Sequence, residues 1–218
     1  VQRGGDHINR VDYKGFVKTN EHLLDTYLAY LQSLEPTSMS PNQQLAFWIN
    51  LYNAQTVKVV LGYPDKDSIL KMRPRLLSVG PWDEKYLQIE GKDVSLNDIE
   101  HRILRPIWAD HRLHFALNCA SLGCPDLSTE AYRAETIQGQ LQQAEDLFLS
   151  QPRAIELTQD GVLMLSSLFD WYLEDFADSE QALLQFLAER APNLATTLRT
   201  HQSKIRYHYD WALNGATH

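Results

Sequence analysis

Between Ser40 and Pro64 the sequence dictates one long helix, and the remainder of the chain must pack around it. Ser40 followed by Pro41 is a strong helix start, because serine caps free N–H groups and proline is tolerated at the first helical position. Leu45, Trp48, Ile49, Tyr52, Val57 and Val60 follow at helical spacing up to Gly62, and Pro64 forbids continuation. A helix this long and this apolar is predicted to run through the core.

The flanking segments alternate between helical and strand patterns. Leu23, Leu24, Tyr27, Leu28 and Leu31 predict a helix from Asn20 to Leu34, with Asn20 as its cap. After a loop carrying Pro74, Gly80 and Pro81, Tyr86 to Ile89 and Val94 flank Glu90-Gly91-Lys92 as a short hairpin. Ser95 and Asp98 form a capping box for a helix from Leu96 to Arg105, which Pro106 is expected to end. Leu113 to Cys119 is a largely apolar run that reads as a buried strand. An amphipathic helix is expected over Glu130 to Leu149. A second hairpin then pairs Ile155 to Leu157 with Val162 to Leu165 around Gln159-Asp160-Gly161. Helices over Ser167 to Phe176 and Ser179 to Ala191 follow, and Ile205 to Trp211 is a strand or an extended tail. With no internal repeat and no low-complexity linker, residues 1–218 read as a single α+β domain, predominantly helical, with a small sheet and short hairpins.

Length and charge bound what such a domain does. A chain of 218 residues buries roughly 70% of its unfolded surface, so no cofactor or disulfide is needed for folding. With 20 Lys+Arg against 28 Asp+Glu, the net charge is −8 and no basic run breaks it, which makes nucleic acid and anionic membranes poor partners. The longest apolar stretches fall far short of the roughly 20 residues that span a bilayer, and the chain is expected to be soluble. It begins Val-Gln-Arg-Gly-Gly, which suits a processed export product or a trimmed chain.

The candidate chemistry lies in two places. On the helix that follows Ser95, Leu96, Ile99, Ile103, Leu104 and Ile107 form one stripe at 100° per residue, and Glu100 falls inside it. A carboxylate aimed at the core needs a partner or an elevated pKa, and a histidine is the expected partner. His101 points to the flank of the stripe. In the run Leu113 to Cys119, alternation puts His114, Ala116 and Asn118 on one face, and Cys119 stands where the strand yields to the small-residue loop Ala-Ser-Leu-Gly-Cys-Pro.

A thiol at such a turn, with an imidazole nearby and an acid to orient it, has the parts of a nucleophile. Five strand residues would hold His114 roughly 16 Å from Cys119, which puts His101 ahead as the base. Cys119 and Cys124 are too few for a disulfide scaffold, yet they could bridge one loop. They could also join His101 or His114 around zinc, although their spacing is at the outer edge for paired ligands. Asn50 and Asn53, three apart on the long helix, either satisfy buried backbone groups or line a polar pocket. Asp170, Trp171, Asp175 and the pair Asp210-Trp211 read as solvated acids beside core aromatics.

Three motifs give the sequence a likeness. They are Ala46-Phe47-Trp48-Ile49-Asn50-Leu51-Tyr52-Asn53-Ala54, the run Ser95 to Arg105, and His114-Phe115-Ala116-Leu117-Asn118-Cys119-Ala120-Ser121. Together they resemble the domain-of-unknown-function family 547, and the likeness runs from about Val11-Asp12-Tyr13 to Leu213-Asn214. The family's pattern has Glu-His where Glu100 and His101 stand, and His-Phe-Ala-Leu followed by a cysteine where His114 to Cys119 stand. The resemblance implies no established activity. Plant-type members often carry serine in place of Cys124, which argues against an obligatory disulfide or metal pair. Bacterial members resemble exported proteins with a leader, which implies a periplasmic or secreted location.

The residues point first to a thiol-dependent hydrolase or acyl transferase. In that reading Cys119 is the nucleophile, His101 or His114 the base and Glu100 the orienting acid. Asn53, Asn118, Ser121 and Cys124 are the residues expected to help bind a small molecule or peptide. A non-catalytic binding domain built on the His114 to Pro125 loop, and a Cys/His metal-binding domain, are the competing readings.

Overall fold

The computed structural model describes residues 2–3, 8–74 and 78–216; Val1, Gly4 and Gly5 of the opening segment lie outside them. The long helix is α3, Pro41–Leu61, and Gln43 turns back so that its Oε1 accepts from the Ser40 backbone N–H at 3.0 Å, closing a capping box over Pro41. Its face carrying Leu45, Ile49, Leu51 and Tyr52 is almost fully buried. Around it sit α1 (Tyr13–Thr19) and α2 (Glu21–Gln32). Helix α1, which the sequence pattern does not reveal, is started by Asp12, whose side chain accepts from Gly15 N. The N-terminal strands β1 (Gln2–Arg3) and β2 (Asn9–Arg10) pair antiparallel.

The first expected hairpin forms as β3 (Leu87–Ile89) and β4 (Lys92–Val94), with Glu90 and Gly91 both at positive φ. Two central residues at positive φ describe the tight turn that matches strand twist. The second becomes β5 (Ile155–Leu157) and β6 (Leu163–Ser166). The segment after Ile205 completes it as β7 (Arg206–His208), parallel to β6, to give a three-stranded sheet. The fold class is therefore α+β with helices dominant.

Four local expectations are corrected. The helix after the Ser95–Asp98 capping box does not stop at Pro106. It runs as a π-helix over Asp98–Leu104, in which Arg105 N–H donates to Glu100 O, then as α4 (Arg105–Trp108), and ends at Ala109 with φ 46. Proline sits in the first turn of the α segment, where its missing N–H costs little. A π-turn closes i to i+5 and advances each residue by less than 100°, so the stripe drawn at 100° fails beyond it. Ile107, assigned to that stripe, is 62% exposed.

The run Leu113 to Cys119 is not a strand. Leu113–Ala116 is a helical turn, α5, launched by an Asp110 carboxylate that accepts from Arg112 N at 3.0 Å; the chain becomes extended only at Leu117. A short apolar run buried on all sides carries no period to tell strand from helix. Helix α6 begins at Ile137, not Glu130, because Gln140 and Asn50 hold residues 131–133 in another conformation. The helix expected over 167–176 breaks at Tyr172 into α7 (Leu168–Trp171) and α8 (Leu173–Phe176). It is followed by α9 (Glu180–Arg190) and an unforeseen α10 (Ala195–Thr200).

Buried apolar side chains gather in two clusters. One surrounds α3; the other lies between the three-stranded sheet, α6 and α9. Helix α5 sits at their seam, giving Leu113 and Ala116 to the first and Phe115 to the second. No helix among the described residues is long and apolar enough to cross a membrane.

Candidate active site

At that seam a cavity of about 270 Å³ opens, and Glu100, His101, His114, Cys119 and Cys124 all line it. Residues singled out separately in the sequence thus meet at one cavity, but through different elements from those expected. Glu100 and His101 come from the π-helix, His114 from α5, and the cysteines from the loop that follows α5.

The loop is fixed from three directions. Asn53 on α3 donates to Ala116 O at 2.9 Å and accepts from Asn118 N at 2.9 Å. Asn118 in turn donates to Pro125 O at 2.7 Å and accepts from Ala120 N at 2.9 Å. These amides, expected as binding residues, have their polar atoms taken up by loop backbone and pin the turn; Asn50 does the same for Tyr132. From the third side, residues 210–214 run alongside the loop: Leu122 N donates to Ala212 O, Gly123 N to Asp210 O and Asn214 N to Ala120 O. Ala120 adopts φ 61, a left-handed conformation that L side chains adopt rarely and that must be held by its surroundings. Gly123 is required sterically, since a Cβ there would meet Asp210 N at 2.8 Å and the Tyr209 ring at 2.9 Å.

This packing delivers Tyr209 to the thiol. Cys119 Sγ, Ser121 Oγ and Tyr209 OH stand 3.1 Å apart from one another. Cys119 N–H donates to Cys124 Sγ at 2.8 Å, and both cysteines are free thiols. Hydrogen bonding from the Cys124 thiol, opposed by burial and reinforced by Ser121 and Tyr209, brings the Cys119 thiol down to about 7. Burial pushes Cys124 well up, so it stays protonated. Tyr209→Phe is expected to move the Cys119 titration upward by roughly one pH unit, toward an ordinary thiol. Alkylation rate against pH measures this, and an unchanged inflection would show that the phenol does not stabilise the thiolate.

The two histidines differ sharply. His114 is buried, its Nε2 lies 2.6 Å from Asp175 Oδ2, and its ring stacks on Tyr172 at 4.1 Å. His101 is 36% exposed, its Nδ1 meets Arg105 Nη1 at 3.2 Å, and its Nε2 stands 4.0 Å from Glu100. Glu100 is buried, but the hydrogen bonds it accepts come from two phenols and not from the expected histidine: Tyr172 at 2.8 Å and Tyr52 at 3.1 Å. Burial holds both phenols well above their ordinary pKa, so they remain donors.

Asp175, taken from the sequence as a solvated acid, is instead the partner of His114 and also accepts from Arg105 Nε at 2.6 Å. Burial pushes its carboxyl up, but the hydrogen bonds from His114 and Arg105 outweigh this and leave it below the ordinary carboxylate range. Asp175, Arg105, Tyr172, Tyr52 and Tyr209 were missed by sequence reasoning. One signal existed: Asp175 directly precedes Phe176 in a segment dense with aromatics, although Asp170 of the same segment is exposed, as a solvated acid would be.

Residues 36–149 match the family model described as "Protein of unknown function, DUF547", slightly more than half of the chain. The chain belongs to the DUF547 family. The matched segment contains α3, the π-helix and the cysteine loop, while Asp175, Tyr172 and Tyr209 of this DUF547 protein lie beyond it. No curated protein and no solved structure matches it. Among the described residues of this DUF547 chain, no three His, Cys, Asp or Glu side chains gather to hold a metal ion.

Proposed function

We propose that this protein is a thiol-dependent hydrolase or acyl transferase in which Cys119 is the nucleophile and His114, oriented by Asp175, moves the proton. One observation carries the reading: Cys119, a thiol brought down to about 7, lines the same cavity as buried His114, whose Nε2 is held by the Asp175 carboxylate. Those are the parts that nucleophilic acyl transfer needs. The Cys119 thiolate adds to the acyl carbon, and the bond to the leaving group breaks as His114 supplies its proton. Water or another acceptor, deprotonated by the same ring, then releases the acyl group from sulfur. With Nε2 engaged by Asp175, Nδ1 is the nitrogen left for that exchange.

His114 takes precedence over His101 on two grounds. The helical turn α5 removes the strand spacing that had counted against it, and His114 alone of the two has a carboxylate within hydrogen-bond distance. Glu100 serves as a positioning residue, anchoring the Tyr172 ring against which His114 stacks.

The test is to incubate the protein with p-nitrophenyl acetate and short acyl thioesters, following turnover and intact mass. One acyl group is expected on Cys119, with turnover lost in Cys119→Ser and in His114→Gln. No adduct on Cys119, or equal turnover by Cys119→Ser, would end the enzyme reading. The binding-domain alternative is favoured by one feature, the wall of Trp171, Trp211 and Tyr209 at the cavity, where Trp171 is 47% exposed while stacking on Trp211 at 5.5 Å. That reading would stand if Cys119→Ser retained every measurable property of the protein.

A further inference from the structure

We propose that Cys119 and Cys124 form a peroxide-reducing dithiol pair, in which Cys119 takes an oxygen from a hydroperoxide and Cys124 resolves it to a disulfide. This activity goes beyond acyl transfer, though it shares Cys119 with that reading.

The geometry supplies each part. Cys124 Sγ lies 2.8 Å from Cys119 N, which places it within about 4.3 Å of the Cys119 Cα, so the second sulfur already touches the residue that carries the first. The intervening chain is already turned, with Cys124 N donating to Ser121 O at 3.2 Å and Ala120 in the left-handed region. The two thiols occupy unequal environments. Cys119 is partly exposed at a cavity large enough for hydrogen peroxide or a small organic hydroperoxide, whereas Cys124 is buried with its sulfur 3.6 Å from Leu117 O. A reactive thiol beside a sheltered, protonated one is the arrangement that turns a sulfenic acid into a disulfide before further oxidation. Ser121 and Tyr209 add two hydroxyls at the attacking sulfur.

The Cys119 thiolate attacks one peroxide oxygen and the O–O bond breaks. Cys119 becomes a sulfenic acid, oxidised by two electrons, while the peroxide is reduced to an alkoxide or hydroxide. That anion takes a proton through the Tyr209–Ser121 hydroxyls, which recover it from solvent. The Cys124 sulfur then attacks Cys119 Sγ; the S–S bond forms, the S–OH bond breaks, and the departing hydroxide leaves as water with the Cys124 proton. A dithiol reductant returns both thiols.

Hydrogen peroxide is added in one equivalent to the reduced wild-type protein and intact mass is recorded. The expected product has lost two hydrogens, and dithiothreitol restores the starting mass. Cys124→Ser should instead stop at a dimedone-trappable sulfenic acid on Cys119, and Cys119→Ser should consume peroxide at least a hundredfold more slowly. Wild-type protein that gains two or three oxygens on Cys119 without ever losing two hydrogens would overturn the proposal, as would peroxide consumption that survives in Cys119→Ser. The wild-type mass change does not depend on either variant folding. Acyl-adduct formation, scored separately on untreated wild-type protein, shows which of the two readings has failed.

Discussion

Asp175→Asn is expected to lower Cys119-dependent acyl turnover by roughly 10²–10⁴-fold, the range associated with a positioned acid–base group and its orienting carboxylate. The carboxylate fixes the His114 ring through a 2.6 Å contact and stabilises the charged ring when it takes up a proton. An amide keeps the shape but supplies no charge, and its NH2 favours the wrong tautomer. The loss should fall on kcat more than on KM, since Asp175 touches the histidine and not the acyl group. The rate should rise as Cys119 ionises through about 7, and that limb should persist in the variant, because Asp175 does not touch the thiol. Unaltered kcat in a folded Asp175→Asn protein would remove His114 from the mechanism.

A second large effect is expected far from any proton transfer. Asp126→Ala should destabilise the fold by about 3–5 kcal/mol, the usual consequence of stranding one half of a buried ion pair. Asp126 and Arg153 are paired at 2.6 Å with only 3% and 11% of their side chains exposed. The same carboxylate accepts from Asn9 N and Gln151 Nε2, and Arg153 donates to Leu122 O inside the cysteine loop. Thermal unfolding should show a fall in Tm on the order of 10 °C for a chain of this size. Pairing the change with Arg153→Met should recover part of the loss, because the unpaired guanidinium is what costs most. A shift below about 1 kcal/mol would mean that water replaces the carboxylate and that the network is not dry.

What the sequence disclosed divides along the distance between interacting residues. Helix α3, both hairpins and the Ser95–Asp98 capping box were legible because each is specified by neighbours within a few positions. The inward phase of Glu100 was legible because it is only the third residue of the π-helix, before the altered period accumulates; by Ile107 the same reasoning fails. Helix α5 was misread because four residues hold one turn, too little for any period to register. The partners of the site were hidden for another reason. Asp175 meets His114 across 61 residues and Tyr209 meets Cys119 across 90, and side chains at such separations are brought together by packing that no local pattern encodes. Histidine and cysteine attract attention by type, whereas an aspartate or tyrosine in an aromatic-rich helix does not.

The pairing of residues 210–214 with the cysteine loop bears on how the protein is made. During synthesis α3, the π-helix and the cysteine loop emerge first, but Tyr209 and the strand-like contacts of Leu213 with Ser121 come some 90 residues later, and Asn214 meets Tyr13 from 201 residues away. At about 5–20 residues per second, the ribosome leaves Cys119 without its phenol for roughly 5–20 s. Through that interval the thiol has only its local partners Cys124 and Ser121, and the set of groups that lower it is completed once residues 209–214 have docked and brought the Tyr209 hydroxyl.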